Sequence, residues 1–358
     1  MRVVLAGGGT GGHVYPALAM GDALRARGHE LFYVGDAGRL EGRVAPQRGY
    51  DFRPIQAPKY PRGGVVGKLG FAFSLLGSIV EARGLLKELR AELVLGVGGY
   101  ISAPTVLAAW TLGIPRVIHE ANVAPGLANR LCARVANLAM LTYEASGPRL
   151  GGSAPKKTVG CPVNPKVLLG ERSEARQHYG LDEHGSTLLV VGGSLGAATI
   201  NAVALAAARM QNRPWQLLWV TGPRYHDGAL RDLGEIPEGV ALVDYEDKMG
   251  RAYAASDLVV ARAGSSTLAE LTALGKPALL IPSPNVTDNH QEANARGLEE
   301  LGAALVLTES DLDIPAALDR ITALLGDAEA LSAMSEAARG QGRLHVAEEV
   351  AELLEQFG

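Results

Sequence analysis

Short runs of unbroken apolar residues alternate along the chain with longer stretches in which apolar positions recur at helical spacing. The first run, Val3-Val4-Leu5-Ala6, leads into Gly7-Gly8-Gly9-Thr10-Gly11-Gly12-His13. A helix is then predicted over 14–27, closed by Gly28 with cationic residues in its last turn. Residues 31–34, 93–97, 116–119 and 138–141 read as further strands of the first half. In the second half Leu188-Leu189-Val190-Val191 leads into Gly192-Gly193-Ser194-Leu195-Gly196-Ala197, and strands are predicted at 217–220, 240–243, 258–260 and 278–281. Apolar strands spaced by helices imply parallel sheets covered on both faces, hence two doubly wound α/β domains.

At 358 residues the chain exceeds what one core usually supports, which also favours two domains. Gly160-Cys161-Pro162-Val163-Asn164-Pro165, with two prolines in an extended run, makes the linker and divides the chain into 1–160 and 161–340. The stretch from Leu93 to Pro115 carries no charge, but Gly98-Gly99 and Pro104 interrupt it, so it reads as strand, loop and buried helix rather than a membrane span. A last helix is predicted over 346–357. With 47% hydrophobic and 20% charged residues the chain is neither disordered nor membrane-spanning in composition. Cys132 and Cys161 form no CxxC pair, which favours a reducing compartment and argues against structural zinc. Met1-Arg2 leads at once into a core strand, so no signal peptide is expected. The net charge of −4 hides an asymmetry: residues 1–160 hold 19 Lys and Arg against 10 Asp and Glu, and the remainder 15 against 28. Such a basic half suits an anionic surface, membrane or nucleic acid.

Each glycine turn joins a strand to a helix N-terminus, where backbone N–H groups and the helix dipole make a seat for phosphate. Two seats imply two phosphate-bearing substrates. Gly7 to Gly12 also satisfies GxGxxG, and Asp36 near the end of the next strand makes nicotinamide binding a legitimate alternative. The second turn and His13 do not belong to a dinucleotide site, and neither turn is followed by the lysine of a Walker A loop. What survives is phosphate chemistry in a cleft between two like domains. His13 sits at a helix N-terminus that disfavours an imidazolium, so it reads either as a neutral proton acceptor or as a residue that only bonds its loop. His119-Glu120, closing a strand, reads as catalytic or as a structural contact. Thr267-Leu268-Ala269-Glu270 has the letters of a capping box, which by spacing alone would account for Glu270. Asp311-Leu312-Asp313 has the letters of a metal-holding DxD, but Pro315 follows as in an ordinary capped helix start, so no metal is expected.

Gly8-Gly9-Thr10-Gly11-Gly12-His13, Gly96-Val97-Gly98-Gly99-Tyr100, His119-Glu120-Ala121-Asn122, Gly192 to Ala197, Arg262-Ala263-Gly264 with Glu270, and His290-Gln291 with Asn294 together resemble the MurG family. These are peptidoglycan N-acetylglucosaminyltransferases, which convert lipid I to lipid II, and the motifs run in the family's order through nearly the whole chain. The resemblance implies a GT-B fold, two Rossmann-like domains with parallel sheets facing across a cleft. It implies an acceptor- and membrane-side domain over 1–160, a UDP-N-acetylglucosamine domain over 161–340, and a final helix, about 341–358, packed back on the first. Ser194 would face the donor diphosphate, Glu270 the ribose, and His290, Gln291 and Asn122 the sugar. Thr10, Gly11, Gly12, Asn164, Gly264, Ser265 and Thr267 would complete the donor site. Gly11, Gly12, His13, Gly98, Gly99 and Tyr100 would line the acceptor site. The reaction would be an inverting, metal-independent displacement without cofactor, and the general base stays open, with His13 first and Glu120 second. Backbone N–H groups at Ser194 to Ala197 would meet the leaving-group charge.

The chain departs from the family pattern at Ala121 and Leu195, each in place of Gln, and at Cys161 to Asn164, where an Arg near the donor is lost. Arg262 or Lys166 would supply replacement charge. The alternatives are another GT-B enzyme on a UDP-sugar, a UDP-N-acetylglucosamine 2-epimerase, or a non-catalytic scaffold. The resemblance places the protein in the cytoplasm, peripheral on the inner face of the membrane, with lipid I and other cell-wall synthesis proteins as partners and no nucleic acid. Val65, Val66, Leu69, Phe71, Phe73 and Leu75, flanked by Lys59, Arg62 and Arg83 and joined by Trp110, are the expected membrane patch.

Overall fold

The computed structural model describes residues 1–58, 65–286 and 289–358, with 65–69 described by their backbone alone. The chain divides into two compact units, Met1–Val163 with His345–Gly358, and Asn164–Leu344. The first holds strands β1 (Arg2–Ala6), β2 (Glu30–Gly35), β3 (Asp51–Pro54), β4 (Leu93–Gly96), β5 (Arg116–Glu120), β6 (Leu138–Leu141) and β7 (Lys156–Thr158). Its helices are α1 (Gly11–Ala26), α2 (Leu40–Gln47), α3 (Val65–Glu88), α4 (Ser102–Leu112), α5 (Leu127–Cys132) and α6 (Ser146–Leu150). The strands lie parallel in the order β3-β2-β1-β4-β5-β6-β7. Successive residues of β1 serve opposite faces: Val4 and Ala6 join Leu86 of α3 and Val106 of α4, while Val3 and Leu5 join Val14 and Leu18 of α1.

The second unit opens with a 3-10 turn, Pro165–Leu168, and α7 (Arg172–Tyr179). Its strands are β8 (Thr187–Val191), β9 (Gln216–Val220), β10 (Val240–Val243), β11 (Leu258–Ala261), β12 (Ala278–Leu280) and β13 (Ala304–Val306), parallel in the order β10-β9-β8-β11-β12-β13. The helices are α8 (Ala198–Ala208), α9 (His226–Leu233), α10 (Met249–Ala255), α11 (Ser265–Leu274), α12 (His290–Glu299), α13 (Ile314–Gly326) and α14 (Ala328–Gly340). In each sheet the strand order reverses beside the first strand, between β1 and β4 and between β8 and β11. Ligands of open α/β sheets bind outside the carboxyl ends of the strands at such a reversal.

Every strand expected from the sequence lies within one residue of its observed bounds at each end. Three strands were not expected from the sequence: β3 and β7 have no apolar run to mark them, and β13 is a short one, Ala-Leu-Val. β3 (Asp-Phe-Arg-Pro) and β7 (Lys-Lys-Thr) are sheet edges open to solvent. α1 starts at Gly11, earlier than its apolar spacing indicates, because the Thr10 carbonyl already accepts from the His13 and Val14 amides. The uncharged stretch from Leu93 is β4, a turn and α4, and among the described residues no helix is long and apolar enough to cross a membrane.

The last helix, α15 (Val346–Glu355), belongs to the first unit. Its Val346, Val350, Ala351 and Leu354 are buried in the same layer as Val14, Leu18 and Leu24 of α1. That apolar seam, at about 1.5–3 kcal/mol for each fully buried large side chain, holds the helix. Polar contacts fix its last turn: Glu355 accepts two bonds of 2.8 Å from Arg27 and lies 2.9 Å from His29 Nε2. These partners, Arg27 foremost, hold the Glu355 carboxyl down to about 2, so its stabilisation is complete above the ordinary value of 4.5 and is lost as pH falls from there towards 2. We expect Glu355→Gln to speed hydrogen exchange in the last turn of α15 by about tenfold at pH 7, with β1 unaffected. Unchanged exchange in that turn would show the apolar seam acting alone.

Candidate active site

In the first unit the turns after β1 and β4 meet backbone to backbone. Gly99 has φ +79°, and a Cβ there would come within 2.4 Å of the Gly8 carbonyl oxygen, so the contact needs glycine. The neighbouring Gly98 makes room for His13, whose Cδ2 and Nε2 would lie 2.9 and 3.0 Å from a Cβ at that position. His13 is half-buried in the first turn of α1, and its Nδ1 lies 3.2 Å from Thr10 Oγ1, a contact that sets the ring orientation. α1 starts with no side-chain cap and no acid in its first turn, so the positive end of its dipole lies beside His13.

The first glycine turn already holds an anion of its own. Glu41, fully buried on α2, accepts from the Gly9 amide at 3.0 Å and the Asp36 amide at 3.3 Å, with its carboxylate against Gly8. Asp36 accepts from the Tyr100 hydroxyl at 2.7 Å and the Gly38 amide at 2.8 Å, which engages the acid that a nicotinamide site would need. Burial and this bond push the Tyr100 hydroxyl up to about 12.

His119 and Glu120 are both buried at the end of β5. His119 Nε2 lies 3.0 Å from the Gly160 carbonyl, and burial pushes its imidazole down to about 4, so the ring is neutral with Nε2–H donating. Glu120 accepts from the Asn122 amide (3.0 Å) and side chain (3.4 Å), the Gly126 amide (3.1 Å) and Asn129 Nδ2 (3.0 Å). Burial raises its carboxyl pKa against the pull of these donors. The contacts shape the loop from Ala121 to Gly126 that carries Asn122. Asn129 of α5, unmarked by any sequence motif, also donates to the His119 carbonyl at 2.9 Å. Its amide lies against Gly98, as His13 does, and its Oδ1 has no hydrogen-bond partner among the described residues.

In the second unit Gly192 to Ala197 leads from β8 to α8, which also begins with neither side-chain cap nor acid. Gly196, at φ +74°, lies against the turn after β9, where a Cβ would come within 2.2 Å of the Thr221 carbonyl. One amide of the turn, that of Gly196, is bonded within it to Gly193 at 2.9 Å. Ser194 is half-buried, and Leu195 is 70% exposed. The turn after β11 leads to α11, whose N-cap is Gly264 with Ser265 first in the helix. Thr267 is therefore inside the first turn and Glu270 farther along, which overturns the capping-box reading. The Glu270 carboxylate instead accepts from the Tyr253 hydroxyl at 2.8 Å, and burial pushes its carboxyl up to about 7.

After β12, Gln291 Oε1 accepts from the Ser283 amide at 2.9 Å, and His290, half-buried, opens α12. Asn294 donates to Ser265 at 3.3 Å, tying α12 to α11. Ser194, Gly264, Ser265, Thr267, Glu270, His290 and Gln291 thus come from segments at the carboxyl ends of β8, β11 and β12. Asn164 caps the 3-10 turn, accepting from the Lys166 amide at 3.0 Å. Arg262 cannot supply the charge expected of it, because its guanidinium is bonded to the Ile281 and Pro282 carbonyls and to Glu309. Asp313 caps α13 at 2.8 Å from the Ala316 amide, and Asp311 accepts from Thr308. Among the described residues no three potential ligands are grouped to hold a metal.

On α3 the exposed apolar side chains are Phe73 (74%), Leu76 and Val80, spaced to form one face, with Trp110 of α4 also exposed. Phe71 and Leu75 of the expected patch are half-buried, whereas the exposed face extends beyond it to Val80. The side chains of Val65, Val66 and Leu69, and residues Lys59 and Arg62, lie outside the described residues. Arg83 donates to the Thr111 carbonyl at 3.0 Å and joins α3 to α4.

Residues 3–141 match the glycosyltransferase family 28 N-terminal domain and residues 187–353 the glycosyltransferase family 28 C-terminal domain. The chain is 40% identical to a UDP-N-acetylglucosamine-N-acetylmuramyl-(pentapeptide) pyrophosphoryl-undecaprenol N-acetylglucosamine transferase of Salinibacter ruber, over 98% of this chain and 95% of the relative. It is 38% identical to the Halothermothrix orenii protein of that name, over 96% and 95%. The chain belongs to the MurG family. The crystal structure of Acinetobacter baumannii MurG matches it with a TM-score of 0.78 and 25% identity over 99% of each chain. The fold is GT-B and the enzyme class that of an N-acetylglucosaminyltransferase.

Proposed function

We infer that the chain transfers N-acetylglucosamine from UDP-N-acetylglucosamine to the 4-hydroxyl of the muramyl sugar of lipid I, giving lipid II with inversion. The observation that carries this reading is full-length likeness to transferases of that name. It favours transfer over the epimerase and scaffold alternatives. In the proposed mechanism the acceptor oxygen forms its bond to the anomeric carbon as the bond to the diphosphate oxygen breaks, and UDP leaves. His13 Nε2 takes the hydroxyl proton. Glu120 is a positioning residue, because its oxygens already accept four bonds that hold the Asn122 loop. Asn122, Asn164, Thr10, Gly11 and Gly12 remain donor-site proposals, as do Gly98, Gly99 and Tyr100 for the acceptor.

The two glycine turns divide the work by charge. The second, without a carboxylate like Glu41 bonded to it among the described residues, takes the donor diphosphate on its amides and the N-terminus of α8. Fixed donors of this kind are worth about 10²–10³ in rate. We propose that they meet the leaving-group charge without a metal ion or cofactor, so activity is expected to persist in excess chelator. Loss of activity with chelator and recovery with magnesium would refute this. Formation of labelled lipid II from UDP-N-acetylglucosamine and a lipid I analogue tests the function itself; absence of transfer by folded protein would leave the scaffold reading.

The acceptor is lipid-linked, so we place the enzyme on the cytoplasmic face of the membrane through Phe73, Leu76, Val80 and Trp110, with other cell-wall synthesis proteins as further partners. Changing Phe73 and Leu76 together to Ser is expected to weaken partition onto anionic vesicles by about a hundredfold, since two large apolar side chains at about 1.5 kcal/mol each amount to about 3 kcal/mol. Binding should also fall with salt, as Arg83, one turn along α3 from Val80, adds about 1 kcal/mol near an anionic surface. Unaltered partition of the double variant would move the contact elsewhere.

A further inference from the structure

The proposed chemistry uses the carboxyl ends of β8, β11 and β12, but a second cavity lies at their amino ends. It has a volume of about 310 Å³ and is lined by Val167, Ala254 and Leu274 on apolar sides, with Arg172, Lys276 and Glu171 among its polar groups. Asp257, immediately before β11, is already engaged: it accepts from Arg172 at 2.6 Å, from the buried Arg176 at 2.9 Å and from the Thr187 amide at 2.8 Å. The Lys276 ammonium donates to the Ser256 carbonyl at 2.7 Å and makes no ion pair among the described residues. A third guanidinium, that of Arg339, lies over Gly275, where a Cβ would come within 2.9 Å of its Nε. Asp257 thus takes two guanidiniums, the Lys276 ammonium has only a carbonyl, and Glu171 is exposed at the rim.

We propose that this cavity is a second, non-catalytic anion site that takes the phosphate of a small ligand on Lys276 and Arg172, with Arg339 adding positive potential from beside Gly275. The apolar wall of Val167, Ala254 and Leu274 receives the body of an organic phosphate. Burial, with Arg172, Arg176 and Arg339 close by, pushes the Lys276 ammonium down to about 8 despite Asp257, the state of a cation short of counter-charge. A bound phosphate supplies that charge in a partly desolvated place, where charge-assisted bonds are strong. Neither glycine turn contributes to the site, so it stands apart from the transfer reaction.

The test is calorimetric titration of the UDP-saturated protein with inorganic pyrophosphate and, separately, with phenyl phosphate. Saturable binding of one equivalent is expected, weakened about threefold or more by Arg172→Gln or Arg339→Gln, about tenfold by Lys276→Met, and unchanged by Arg320→Gln on α13. Tighter binding of phenyl phosphate assigns the site to an organic phosphate, and tighter binding of pyrophosphate to an inorganic one. Absence of saturable binding, or equal affinity in Arg172→Gln and the parent, overturns the proposal. Should Lys276→Met not fold, acetylation of Lys276 in the parent protein by acetic anhydride, mapped by mass spectrometry, decides. Protection by pyrophosphate supports the site and unprotected modification overturns it.

Discussion

His13→Ala is expected to lower turnover about a hundredfold or more, because loss of a positioned general base typically removes about 10²–10⁴ in rate. The argument rests on placement. The imidazole stands in the first turn of α1, where the turns after β1 and β4 meet. Thr10 Oγ1 at 3.2 Å orients Nδ1, and Gly98 leaves the space that Nε2 occupies. UDP affinity should change little, since the proposed diphosphate site belongs to the turn before α8. Binding of UDP by the parent and the variant can be compared by calorimetry beside the kinetics. A parallel loss of UDP affinity would assign the first turn to the donor, and near-normal turnover would remove His13 from the chemistry.

Glu270→Gln is expected to raise the donor KM about tenfold to a hundredfold, the effect of losing one charge-assisted bond worth about 1.5–3 kcal/mol. Gln retains a carbonyl that can accept the Tyr253 hydroxyl, so the loss falls on the ligand. The carboxyl pKa of about 7 adds a pH dependence. Below that value the acid is protonated, and the parent donor KM should rise as pH falls from 8 to 6, whereas the Gln variant should give a flat profile. Stability runs the opposite way. A folded pKa raised above the ordinary 4.5 means that folding favours the protonated form, so the burden of the buried carboxylate is present above about 7 and relieved as pH falls. The Gln variant should therefore melt a few degrees (~2–4 °C) higher than the parent at pH 8 and about equally at pH 5. A donor KM like the parent's at every pH would leave Glu270 only its bond to Tyr253.

Much of the fold and part of the site were legible because their causes are local. Core strands announce themselves as apolar runs, and each glycine turn stands where a strand must give way at once to a helix, so the ends of β1 and β8 could be read directly. The recurring glycines also pointed to Gly98 and Gly99, although their reason, contact with His13 and Gly8, is tertiary. Edge strands β3 and β7 lacked that signal because solvent covers them.

Other features depend on which surface each segment meets. Thr267 and Glu270 carried the spacing of a capping box, but β11 ends so that Gly264 takes the cap and Glu270 meets Tyr253. Arg262 was a free cation on paper and is tied to Glu309 through folding. Helical spacing in α3 could group Phe73, Leu76 and Val80, yet only packing against α4 decides that they, rather than Phe71 and Leu75, face outward. Glu41 and Asn129 left no local mark, since a carboxylate beneath Gly9 and an amide beside Gly98 acquire their roles from partners distant in the chain. The sequence by itself determined the strands, the turns and the chemical types available at them, because backbone preference and hydrophobic periodicity act over a few residues. The tertiary structure alone decided which polar groups are buried, paired or open to a ligand, because desolvation and hydrogen bonding depend on neighbours that the chain brings together only by folding.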